Sequence, residues 1–229
     1  GIAGRISKPP VNFLPGPATI ADEVREAMIA TPFSHRSSAY AGLLKRVKNS
    51  LTALTGAKDV QLLQGTGTLA KDVVAAQLST IGGKGLILVN GEFGSRLTDH
   101  ANRFGMAFDT METEWGGTFD DKEIEEALRP GKYSWVWTIH CETSTGVLNN
   151  LQMLKELCEY HGIKLAIDGV SALGTVPVDL AGVAYTSGVS GKGLLSYTGL
   201  SFVFHEEDVQ QNDQLPRYLD LGMYAEAEG

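Results

Sequence analysis

The stretch GVSGKG (188–193) sets a lone lysine, Lys192, among glycines and a serine, with an apolar run on either side. Lysine is rarely buried unless it is paired or reactive. A turn of small residues at a strand end could hold its amine for nucleophilic chemistry, given partial burial and neighbouring positive charge to depress its pKa. An ordinary surface lysine fits the same turn. Asp168 closes the run IKLAID (163–168). A carboxylate directly after a buried strand is costly unless a partner waits there. A cationic ring nitrogen is one such partner, and a loop cap is the other reading.

Three more stretches carry chemistry of the same kind. Gln64-Gly65-Thr66-Gly67-Thr68 follows the apolar VQLL (60–63). Its glycines let backbone approach an anion, its threonines add hydroxyl donors, and the next helix offers free N–H groups at the positive end of its dipole. It lacks the Gly-Lys-Ser/Thr of a P-loop and the third glycine of GxGxxG, and a plain helix cap also accounts for it. In GEFGSR (91–96), Phe93 lies between glycines and offers a face for stacking on a flat ring, or else packs in the core. In CETSTG (141–146), Thr143, Ser144 and Thr145 could bond the polar edge of a ligand or cap the following helix.

The elements that must position these groups alternate. Helical spacing is expected over 21–30, 41–56 with Gly56 as its stop, 71–82, a segment ending at Gly105, 120–131 and 150–162. Apolar runs at 60–63, 85–90, 106–112, 134–140, 163–168, 183–190 and 200–205 read as strands. Strands alternating with helices imply an α/β fold, a mainly parallel sheet covered on both faces. In such sheets ligands bind at the carboxyl ends of the strands. All five chemical stretches fall at strand ends. Residues 1–19, rich in Pro and Gly, read as an extended arm, and 20–229 as one domain.

The totals narrow the function classes. The chain has 229 residues and a formal net charge of −8, with no basic block. Nucleic acid and anionic membrane surfaces are therefore not expected partners. No apolar run reaches the roughly 18 residues of a membrane helix. Cys141 and Cys158 have no metal-ligand spacing, so no metal site is expected. A reduced, cytoplasmic setting is the simpler reading for them. The chain starts at Gly1, which suggests a processed start.

Phosphate cradle, ring stacker, hydroxyl donors, ring-nitrogen carboxylate and amine nucleophile together describe one ligand, pyridoxal 5′-phosphate. The chain resembles the major domain of class V aminotransferases, the fold-type I group that includes alanine–glyoxylate, serine–pyruvate and 2-aminoethylphosphonate–pyruvate aminotransferases. The stretches that carry the resemblance run from FLPGPATI (13–20) through SHR (34–36), GTGTLA (65–70), VNGEFGSR (89–96) and EWG (114–116). They continue with HCETSTGVLN (140–149), AIDGVSALGTVPVD (166–179), SGKGL (190–194), GLSFVF (199–204) and YLDL (218–221). The resemblance implies a three-layer fold around a seven-stranded sheet. It implies that Lys192 holds the cofactor as a Schiff base, that Asp168 pairs with the pyridinium nitrogen, and that Val170 and Phe93 pack on opposite ring faces. Thr66, Gly67 and Thr68 would bind the phosphate, Thr143 would sit near the phenolic oxygen, and Gly16, in a Pro-Gly-Pro turn, would lie near the substrate.

Two features depart from the family. Gly191 stands where relatives usually carry Gln or His, and the family continues beyond YLDL with a small domain that carries the arginine gripping the substrate carboxylate. Arg36 is the substitute this sequence offers, in a loop expected to line the entrance. The expected function is transfer of an amino group from a small amino acid such as alanine or serine to a 2-oxo acid such as pyruvate or glyoxylate, by a homodimer. The 229-residue chain alone is expected to hold the cofactor but to transaminate poorly. The competing readings are another class V chemistry such as a lyase, a silent cofactor-binding or dimerisation fragment, and, more distantly, a nucleotide-binding doubly wound protein.

Overall fold

Apolar runs such as LILV and WVWTI can be buried on both sides only in the middle of a sheet that helices cover on each face. The computed structural model, which describes residues 11–227, has that arrangement. Residues 1–10 of the expected arm lie outside the described residues. The elements in chain order are α1 (Asp22–Ala27), α2 (Ser38–Thr55), β1 (Asp59–Gly65), α3 (Gly67–Ile81), β2 (Lys84–Val89) and α4 (Glu92–Arg103). Next come β3 (Ala107–Glu112), α5 (Asp121–Leu128), β4 (Trp135–Ile139), β5 (Cys141–Glu142), β6 (Val147–Leu148) and α6 (Leu151–Tyr160). The chain closes with β7 (Lys164–Asp168), β8 (Tyr185–Val189), β9 (Gly199–His205), a 3₁₀ turn at Arg217–Leu219 and α7 (Leu221–Glu226).

Seven strands form one sheet in the order β1-β9-β8-β7-β4-β2-β3. Only β9 runs against its neighbours; it pairs antiparallel with both β1 and β8. The other six strands share one direction, so their carboxyl ends line one edge. The fold is therefore α/β with three layers. One core layer gathers Leu128, Leu154, Leu165 and Phe204, and the other gathers Val73, Leu97, Trp137 and Val203.

Local signals set most boundaries. The Ser37 side chain accepts from the Tyr40 N–H at the start of α2, and Gly56 stops that helix at φ 71°, a left-handed position glycine adopts without strain. Helix α5 is capped by Asp120. Several spans differ from the sequence expectation: the 71–82 helix already begins at Gly67, the 41–56 helix at Ser38, and the short β5–β6 pair and α7 are not among the expected elements. The first helix covers only Asp22–Ala27, the 120–131 helix ends at Leu128, and the first strand extends to Asp59–Gly65. That strand is longer because β9 pairs with it along its whole length, and a partner strand leaves no mark in local composition. Among the described residues, no helix is long and apolar enough to cross a membrane.

Candidate active site

The carboxyl ends of β1, β2, β4, β7 and β8 deliver their groups to one place. A cavity of about 170 Å³ is lined by Gly67, Thr68, Phe93, Thr143, Asp168, Val170 and Lys192, together with Lys71, Arg96 and Ser171. A second, of about 240 Å³, shares Gly67, Val170 and Lys192 with it and adds Gly16, Thr66 and Gly191.

At the β1 end, Thr66 occupies the N-cap position of α3 but its side chain makes no cap bond. The plain-cap reading of the threonines is thus not what the structure contains. The hydroxyl and the first N–H groups of the helix remain available to an anion. Space at Gly67 is tight: a Cβ there would come to 3.1 Å from the Val170 side chain, which would have to give by a few tenths of an ångström.

At the β7 end, Asp168 is 4% exposed. Its Oδ1 accepts from the Val170 N–H at 2.9 Å. Its Oδ2 faces the Nζ of Lys71 at 3.4 Å, and Lys71 is itself buried. The costly carboxylate therefore does have a cationic partner, and that partner belongs to the chain. Lys71 escaped the sequence reading. Its signal was present: one charged side chain on the inward face of a helix that otherwise buries Val73, Val74, Ala75 and Leu78.

Phe93 opens α4 with its ring against the cavity, and the Lys71 ammonium and Arg96 guanidinium approach that ring at 5.4 and 4.9 Å from its centre. Arg96 is already bonded to Glu92 at 3.0 Å. What holds the Phe93 turn is Glu142, fully buried, whose carboxylate accepts from the N–H groups of Phe93 and Gly94 and from the Ser144 hydroxyl. Sequence reading singled out CETSTG for its hydroxyls and passed over this carboxylate. Gly91 must lack a side chain because a Cβ would strike Glu142. The hydroxyls do not cap α6 either; Asn150 does, accepting from Met153 N–H. Thr143 instead bonds Ser171 at 2.5 Å, which ties the β4 and β7 loops together beside the cavity.

Lys192 lies in the turn after β8, half-buried, and its amine has no ion pair or hydrogen bond among the described residues. Its turn is held from both sides. Gly193 packs so closely on the Leu173–Gly174 backbone that a Cβ could not fit, and Ala21, just past the arm, donates its N–H to the Leu195 carbonyl at 3.0 Å. The Pro-Gly-Pro turn lies against the lysine: a Cβ on Gly16 would fall 2.6 Å from Lys192 Nζ. Gly191 faces Thr198, and a side chain there would collide with the Thr198 methyl and backbone. Arg36 is not brought to this site. It lines a separate cleft along α2 with Lys45 and Asp59, at the amino end of β1.

The two thiols are poor nucleophiles. Burial, helped by Glu142, pushes Cys141 up, and burial pushes Cys158 up to about 12. Burial also pushes the His140 imidazole below its ordinary range, and its backbone N–H bonds the Asp168 carbonyl at 2.9 Å. The donor set fits a phosphorylated pyridine aldehyde: an open helix N-terminus, an aromatic face and a valine, a buried carboxylate, and an unpartnered amine.

The family described as aminotransferase class-V matches residues 25–224. A 2-aminoethylphosphonate–pyruvate transaminase of Pseudomonas fluorescens (strain Pf0-1) is 33% identical over 204 residues, 87% of this chain and 55% of that protein. The soluble hydrogenase 42 kDa subunit of Anabaena cylindrica is 31% identical over 226 residues, 94% of this chain and 59% of that protein. The crystal structure of an alanine–glyoxylate aminotransferase from Nostoc sp. superimposes with a TM-score of 0.84 at 31% identity, covering 94% of this chain and 60% of the other. The chain thus spans little more than half the length of the relatives it matches.

Proposed function

Because the chain belongs to the class-V aminotransferase family, we propose that it binds pyridoxal 5′-phosphate and moves an amino group from a small amino acid or a similar amine to a 2-oxo acid such as pyruvate or glyoxylate. The observation that carries this reading is the convergence of Lys192, Asp168, Phe93, Thr143 and the open α3 N-terminus on one cavity. When bound, the cofactor supplies a reactive carbonyl and an electron-accepting ring. Lys192 Nζ would hold it covalently and then carry the proton lost and regained at the substrate carbon. Thr66, Gly67 and Thr68 would bind the phosphate through hydroxyls and helix N–H groups. Asp168, oriented by its bond to Val170 N–H, would pair with the ring nitrogen. Phe93 and Val170 would pack on the two faces of the ring and keep water from them. Thr143, tied to Ser171, would sit near the ring's oxygen substituent. Gly16, packed against the lysine side chain, would lie near the substrate.

The same reading includes a homodimer in the cytoplasm. It is supported by the exposed apolar side chains Phe13, Leu14, Met28, Ile29 and Phe33 in one stretch of chain, and by two cysteines that are both free thiols. Arg36, exposed just ahead of α2, lines the separate cleft and not this cavity.

The test is chemical labelling. Protein mixed with pyridoxal phosphate and reduced with borohydride should carry the phosphopyridoxyl group on Lys192, read by peptide mass spectrometry. A label confined to other lysines, or none, removes the assignment. Conversion of the unreduced bound cofactor to its amine form by alanine, serine or 2-aminoethylphosphonate then ranks the amino donors.

A further inference from the structure

In the cofactor reading above Asp168 would pair with the ring nitrogen, yet its charge is already answered. Oδ1 takes the Val170 N–H at 2.9 Å and Oδ2 takes the Lys71 ammonium at 3.4 Å. Both side chains are almost wholly withdrawn from solvent, 4% and 7% exposed, so water screens the pair little. Arg96, another cation at this end, is bonded to Glu92 at 3.0 Å. The other buried carboxylate nearby, Glu142, is occupied by the Phe93 and Gly94 N–H groups. Lys71 and Asp168 therefore form a closed, electrically neutral pair on the wall of the cavity that Lys192 also lines.

A bare carboxylate and a neutral pair do different things to a pyridine nitrogen. A bare carboxylate raises the nitrogen's basicity, because the protonated ring gains an opposite charge at contact distance. An ammonium shared on the same oxygen opposes that gain, since it sets a like charge close to the protonated nitrogen. Lys71 is also held in place. It projects from the first turns of α3, the helix that wedges against β8 and β9, and its Nζ sits 5.4 Å from the centre of the Phe93 ring. That aromatic face gives the ammonium a second favourable contact and limits its freedom to swing away.

We propose that Lys71 is a charge-setting residue for the cofactor's ring nitrogen: by occupying Asp168 Oδ2 it makes the bound ring a weaker base than Asp168 alone would. The inference rests on the cofactor site proposed above. It assigns Lys71 no bond-making role; the lysine acts through Asp168. Its consequence for chemistry is that the electron-accepting power of the ring, which depends on the ring nitrogen's proton, is tuned by a residue that acts through Asp168.

The test reads the nitrogen itself. Wild-type protein, Lys71→Met and Lys71→Gln are each loaded with pyridoxal phosphate carrying ¹⁵N in the ring, and the ¹⁵N shift is followed against pH. The wild-type ring nitrogen should take up its proton at a pH about one to two units below that in either variant, and Lys71→Arg should keep the wild-type value. The Gln variant keeps a hydrogen-bond donor of similar length, so it covers the case in which Met disturbs folding. A lysine with a purely structural role would change thermal stability in these variants and leave the ¹⁵N titration unmoved. Identical titrations in wild type and both neutral variants, with the cofactor bound, overturn the role of Lys71 alone. Failure of the wild-type protein to take up the cofactor on Lys192 would overturn it together with the cofactor site beneath it.

Discussion

The two ends of β7 carry the same kind of interaction in opposite surroundings. At its amino end Lys164 pairs with Glu207, both sides more than a third exposed. At its carboxyl end Asp168 pairs with Lys71, both buried. An exposed pair gains little over its hydrated partners. A buried pair loses hydration on both sides and is often no more stabilising than apolar residues of the same volume. A protein built only for stability has no need of the second pair. Its position on the cavity wall is what gives it a purpose, and the exposed pair at the other end of the strand has none beyond solubility.

The sharpest way to break this contrast is to remove one partner at each end. Asp168→Ala strands the Lys71 ammonium in the interior and should cost about 3–5 kcal/mol of stability. Glu207→Ala should change stability by less than about 1 kcal/mol. Denaturant unfolding of the two variants without cofactor measures both. Equal losses would mean that burial does not separate the two ends.

A smaller effect is expected from Gly16→Ala. The added carbon meets the flexible end of Lys192 rather than backbone, so the lysine shifts and the fold persists. Displacing a reacting amine by a fraction of an ångström should slow covalent capture of pyridoxal phosphate by about tenfold, with an unchanged melting temperature. Capture at the wild-type rate would show that the Pro-Gly-Pro turn does not crowd the amine.

The smallest effect belongs to the amino-end side, at Asp109 on β3. Hydrogen bonds from Lys84 and Tyr133, and a further one from Lys132, lower its pKa to about 2. A carboxylate with a depressed folded pKa stabilises above its unfolded value, near 3.8, and that contribution is lost as pH falls through about 2. Asp109→Asn should therefore flatten slightly the loss of stability between those two pH values, read from melting temperatures across that window. A steeper acid loss in the variant would reverse the sign of this assignment.

Much of the site could be read in the sequence because each chemical group directly follows an apolar run. A strand end is a local feature, and β1, β7 and β8 mark theirs with Thr66, Asp168 and Lys192. The glycines at 56, 67 and 91 report turn geometry or missing space in the same local way. Gly191 finds its reason only in Thr198 packed against it.

What the sequence by itself determined is the alternation of elements and the residues at their ends, since hydrophobic period and turn chemistry act over a few positions. Only the tertiary structure decided which charges meet. Lys71 is on a helix and Asp168 on a strand far along the chain, and the reversed strand β9 looks like its parallel neighbours in composition. Glu142 is likewise an ordinary loop carboxylate until α4 is laid above it. Pairing in the interior depends on which surfaces the packed layers bring together, and no local pattern in this chain encodes that choice.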